Sequence, residues 1–155
     1  MKKDVRIRVR SSSYVFDGER DEADGNAEPD VVKYATNGIF FDENGRCDIT
    51  VFEPDELGLG QNAVTVLSYD RSDKKSISIT RNGDLSYSLP LDTRFPSVDC
   101  TLSYLGMSTP VSVWTKKLHN TVRDGKGAIL CEYSVTAGGV RIEMVRIFVE
   151  VSEDG

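Results

Sequence analysis

Apolar and polar residues alternate with a period of two along most of this chain, and turn residues interrupt the alternation at short intervals. In Val5-Arg6-Ile7-Arg8-Val9-Arg10 three aliphatic side chains fall on one face of a strand and three arginines on the other, whereas a helix would scatter both sets. The phase shifts through Ser11 to Ser13, so that Tyr14 and Phe16 continue on even positions, which predicts a bulge near Ser12. Two β-rich runs, Val31 to Asp42 and Cys47 to Glu53, flank Asp42-Glu43-Asn44-Gly45 and read as a hairpin. Pro54 to Gly60 reads as a loop, Asn62 to Tyr69 as a further strand, and Asp70 to Lys75 as a turn. Ser76 to Arg81 and Leu85 to Leu89 flank Asn82-Gly83, a pair suited to the positive φ of a type I′ turn and the strongest local signal in the chain. Val98 to Tyr104 alternates, Gly106 to Pro110 separates it from Val111 to Thr115, and Asn120 to Lys126 has room for a short helical turn. Ala128 to Ala137 and Val140 to Val151 are joined by Gly138-Gly139, and a phase switch between Met144 and Val145 predicts a second bulge.

About ten strand-like runs with short links favour antiparallel neighbours. Such a sheet closes or splits into two layers, since an open one would leave long unpaired edges and an uncovered apolar face. The expected fold is all-β: an antiparallel up-and-down meander barrel of roughly eight to ten strands, with a two-layer sandwich as the alternative. At 155 residues the chain fits one domain, 1–155. A domain of that size buries roughly 70% of the surface its unfolded form exposes, so no disulfide or structural metal is needed. Cys47, Cys100 and Cys131 are odd in number and widely spaced, which reads as three reduced thiols.

Net charge is −6, and the stretch from Asp17 to Asp30, with seven acids against Arg20, accounts for all of it. Its low apolar content predicts a flexible acidic loop at 17–30. Its oxygen ligands lack the alternate spacing of a calcium loop, so no metal is expected there. Only the Arg6, Arg8, Arg10 row offers clustered cations, and a solvated strand face explains it, so nucleic acid is not an expected partner. No apolar run is long enough to cross a bilayer as a helix, and the same arginines interrupt what would be the apolar stretch of an export signal. The expectation is a cytoplasmic protein with no membrane partner.

The order of Asn37-Gly38, Phe52-Glu53, Arg81-Asn82-Gly83, Tyr104-Leu105-Gly106, Glu132-Tyr133 and a last strand of alternating aliphatics resembles the uncharacterised bacterial family DUF1934, or YwiB-like, over nearly the whole chain. The resemblance implies a lipocalin-like, calycin-type barrel with no established activity. The chain departs from the family's pattern at Val51, where a tyrosine is usual two positions before the glutamate that matches Glu53, and in its longer acidic connection.

No catalytic constellation is legible. His119 is the only histidine and sits at a predicted strand end among Lys117, Asn120 and Thr121, so a triad has no base elsewhere. No cluster with zinc spacing and no phosphate-cradling glycine loop occurs, and no cofactor is expected. Glu53, Arg81, Tyr104 and Tyr133 each lie in or at the end of a predicted strand, and a closed barrel would gather them at its mouth or inside. If they point inward, Glu53 and Arg81 pair in low dielectric and the tyrosine hydroxyls complete the cluster. An ion pair that simply closes the barrel end is the preferred explanation, and a ligand site the second. For Trp114 a core position is preferred over an outward one, because large aromatics are usually well buried. Two functions follow: a barrel that binds a small molecule in its interior, or a ligand-free interaction or regulatory domain that docks on another protein through its acidic loop or an aromatic patch. Cavity volume separates them. An enzyme is the less favoured third.

Overall fold

The computed structural model describes residues 1–15, 30–55 and 62–153. Ten strands follow one another: β1 Lys2–Val15, β2 Asp30–Glu43, β3 Arg46–Phe52, β4 Val64–Asp70, β5 Ser76–Asn82, β6 Leu85–Asp92, β7 Val98–Tyr104, β8 Met107–Asn120, β9 Gly127–Ala137 and β10 Val140–Glu153. Each pairs antiparallel with its sequence neighbours, and β1 pairs with β10, so the meander closes into a barrel without a free edge. The acidic stretch at 17–29 lies outside the described residues; Asp30 begins β2.

Alternation sets the inside of the wall. Val5, Ile7 and Val9 of β1 are buried while Arg6, Arg8 and Arg10 point to solvent. The same logic turns Phe40, Ile49, Leu67, Ile79, Leu89, Val113 and Ile129 inward from seven other strands. One end is packed solid: Phe40, Tyr69 and Val122 are buried there, and Asp42 accepts 3.0 and 3.1 Å hydrogen bonds from Arg71 Nη1 and the Gly45 amide.

Several local expectations are corrected. The ladder of β1 runs unbroken against β10 from Val5 to Val15, so there is no bulge near Ser12, and Tyr14 keeps the parity of the arginines. In β10 the register shifts between Arg141 and Glu143, just before the expected position at Met144. A further shift, between Thr115 and Lys117 in β8, carries the inward face from Thr115 to Leu118. Because Val111 and Val113 face in, Trp114 faces out and is 52% exposed. Met107 to Pro110 belong to β8, the β7–β8 turn being Leu105-Gly106 with positive φ at both residues. Gly138-Gly139 makes the expected tight turn with φ of 60° and 82°. Residues 121–126 form a turn rather than a helix, closed by a bridge between Arg123 and Lys126.

The Asn82-Gly83 hairpin forms, but neither residue takes positive φ. Glycine eases crowding there instead: a Cβ at Gly83 would lie 3.0 Å from Arg81 Nη1 and 3.2 Å from Ala63 Cβ. Gly38 is also set by crowding. It faces inward from β2, and a Cβ there would collide with Ile7 Cδ1 and the Thr50 carbonyl oxygen. Gly38→Ala is expected to destabilise by about 2–3 kcal/mol through overpacking, seen as a lower urea midpoint at unchanged slope. An unchanged midpoint would show that β2 and β3 part there without cost.

Candidate functional site

Three adjacent strands bring the central pair together. Thr65 of β4 lies across from Val51 of β3 on one side and from Arg81 of β5 on the other. The Glu53 amide continues the ladder beyond β3 by bonding the Ala63 carbonyl at 3.0 Å. Odd positions in β5 point inward, so Ile77, Ile79 and Arg81 share the core face, and Arg81 meets Glu53 at the end of the barrel opposite the packed one. The pair is a two-pronged fork: Arg81 Nε donates to Glu53 Oε2 at 3.0 Å and Nη2 to Oε1 at 3.2 Å. Thr65 Oγ1 donates to Glu53 Oε2 at 2.7 Å, and Arg81 Nη1 donates to the Leu85 carbonyl. The side chains are 3% and 7% exposed, so each charge depends on the other in place of water.

Beside this fork the interior opens into a cavity of about 170 Å³. Its wall is mostly aliphatic, from residues such as Val9, Val51, Leu67, Ile79 and Val149, and Tyr34, Tyr87, Ser11 and Thr65 join Glu53 and Arg81 as its polar part. Tyr87 lies directly across the ladder from Arg81. Burial pushes its phenol up to about 12, with Glu53 adding to the rise and Arg81 opposing it. The Tyr34 phenol is raised as well, first by burial and then by Glu53. Neither hydroxyl has a hydrogen-bond partner among the described residues. Glu143 stands toward the same end, its carboxyl held above the usual carboxylate range by burial and by Asp30.

Of the four residues singled out by sequence, the structure unites Glu53 and Arg81. Tyr133 is buried inside the barrel, its phenol raised by burial and then by Tyr87 and Glu143, but it does not line the cavity. Tyr104 ends β7 at the turn, 54% exposed and away from the cavity. On the cavity wall itself the Glu53–Arg81 pair is joined by Tyr34 and Tyr87 instead. Parity along Leu85, Tyr87, Leu89 and Leu91 was the available signal for Tyr87, and parity with Phe40 for Tyr34.

His119 is exposed on the outer wall. Among the described residues no group of His, Cys, Asp and Glu could hold a metal ion, and no helix is long and apolar enough to cross a membrane. Cys47 and Cys131 are buried, Cys100 half-buried, and all three are free thiols.

No protein-family model matches the chain, and no curated protein does. The crystal structure of the ywiB protein from Bacillus subtilis is similar to it, with a TM-score of 0.71 over 97% of this chain and 93% of that one, at 14% identity. The likeness establishes a YwiB-like barrel fold for this chain.

Proposed function

We propose that this chain is a distant YwiB-like barrel that binds a small molecule in the cavity beside Glu53 and Arg81. The observation that carries the reading is the pair of tyrosine hydroxyls, Tyr34 and Tyr87, on the cavity wall without a partner among the described residues. Both residues are half-buried, so each hydroxyl stands free to hydrogen-bond an incoming molecule in place of water. A ligand that satisfies both hydroxyls while covering aliphatic wall gains on both counts. The Glu53–Arg81 fork fixes the rim of the site rather than reacting. At about 170 Å³ the cavity falls below the roughly 300 Å³ at which pockets for drug-sized ligands begin. It suits a molecule about the size of one aromatic ring.

Docking through an aromatic patch is the weaker reading. Trp114 is exposed, but Ser112 and Lys116 flank it on β8 and Ser134 faces it across the ladder, so it stands among polar neighbours. Single exposed hydrophobics are ordinary on a protein surface.

Native mass spectrometry of protein purified from its own cells tests the proposal. The expected result is a non-covalent adduct on the order of 100–150 Da, in keeping with a ring-sized cavity. The doubly substituted Tyr34→Phe, Tyr87→Phe protein is expected to lose the adduct while keeping its thermal midpoint within a few degrees. An adduct retained by that variant, or none in either protein under gentle conditions, would overturn the assignment.

A further inference from the structure

The charge of the ligand can be read from which hydrogen-bonding groups of the site are already committed, an inference that rests on the binding reading above. Among the described residues Arg81 is the only cation on the cavity wall, and its Nε, Nη1 and Nη2 already donate to Glu53 and the Leu85 carbonyl. Glu53 is the only anion there among the described residues, and its Oε2 accepts from both Arg81 and Thr65 while Oε1 accepts from Arg81. An incoming carboxylate would have to pull Arg81 from a two-pronged bond and leave Glu53 buried and unpaired. An incoming cation would do the reverse to Arg81. Either exchange strands a charge in a nearly dry site, which is among the most costly single changes a protein interior can undergo. The neutral groups with hydrogen-bonding capacity left over are the Tyr34, Tyr87 and Ser11 hydroxyls; each can donate and accept, and a phenol is the better donor.

We propose that the barrel cavity selects small uncharged molecules, about one ring in size, that present a hydrogen-bond acceptor to Tyr34 and Tyr87 and an apolar body to Val9, Val51, Leu67 and Ile79, and that it discriminates against carboxylates and cations alike. The ion pair thereby acts as a charge filter: it makes the rim polar without offering an open charge to either sign.

Benzamide, benzoate and benzamidine share ring, planarity and heavy-atom count but differ in charge, so they isolate this property. Each is titrated at neutral pH into the full chain, and the methyl resonances of Val51, Leu67 and Ile79 are followed by NMR. Benzamide is expected to shift these resonances with a Kd of about 1 mM, which is reasonable for so few atoms. The two ions are expected to bind at least about tenfold more weakly. Tyr34→Phe with Tyr87→Phe is expected to weaken benzamide severalfold, and equal binding by that variant would overturn the donor assignment. Benzoate or benzamidine binding as tightly as benzamide would overturn the charge filter while leaving the cavity a binding site. If none of the three moves those resonances at concentrations on the order of 50 mM, far above the expected Kd, the filter and the binding reading fall together.

Discussion

Arg81→Ala is expected to destabilise the barrel by about 3–5 kcal/mol, a large share of the roughly 5–15 kcal/mol that holds a domain of ordinary stability. The expectation does not come from counting the bonds lost. Glu53 is 7% exposed beside the guanidinium, and removing that group leaves its carboxylate with Thr65 Oγ1 as the remaining hydrogen-bond donor among the described residues. The substitution also removes the Arg81 Nη1 donor from the Leu85 carbonyl at the turn that follows β5. Replacing both partners, Arg81→Met with Glu53→Leu, is expected to recover most of the loss, since no uncompensated charge then stays buried. Urea unfolding followed by circular dichroism measures both. A single-variant loss below about 1 kcal/mol, the range of exposed ion pairs, would mean that water reaches the fork and that it is no fixed wall of the site.

The barrel was legible because alternation, turn chemistry and edge avoidance all point the same way. Val5, Ile7 and Val9 declare their face unaided, and Gly138-Gly139 declares its turn. Register was harder to read. The three serines after Arg10 have no strong preference for either face, so the apparent phase change at Ser12 came from Tyr14, an aromatic that lies on the outer parity. Bulges carry no residue signature of their own, and the one at Lys116 hides among Thr115, Lys116 and Lys117, none of them aliphatic. Within the site, the Glu53–Arg81 pair was found because two opposite charges at strand ends demand a partner. Tyr133 does lie inside the barrel, whereas Tyr104 is carried outward, because an aromatic with a polar tip fits an inner wall, a rim or a turn equally well. Only the register of β6 against β5 places Tyr87 opposite Arg81 while Tyr104 is carried out to the turn.

Alkali is expected to unfold this protein in one cooperative step that begins near pH 9 and steepens through pH 10 to 12. Burial raises the phenols of Tyr34, Tyr69, Tyr87 and Tyr133 and the thiol of Cys131, the last up to about 12. These groups are neutral when protonated, so a raised value in the folded state means that the folded chain holds protons the unfolded chain has released. The unfolded state therefore binds fewer protons above the ordinary thiol and phenol values of about 8.5 and 10, and stability falls as pH rises. Their contribution is fully present below those values and is lost as pH climbs toward the folded ones. Tyr87, raised to about 12, accounts for about 3 kcal/mol across its window at 1.36 kcal/mol per unit. The other buried phenols act in the same direction, so the sum rivals the whole stability of an ordinary domain. The measurement is parallel titration of phenolate absorbance and of the β-sheet circular dichroism signal. Both are expected to change together, and Tyr87→Phe, which removes one contribution, is expected to move the midpoint to higher pH. Phenolate forming at all four tyrosines while the dichroism stays constant would show that water already enters this interior freely. A cavity open to water in that way could not reject ions, and the charge filter at Glu53 and Arg81 would fail with it.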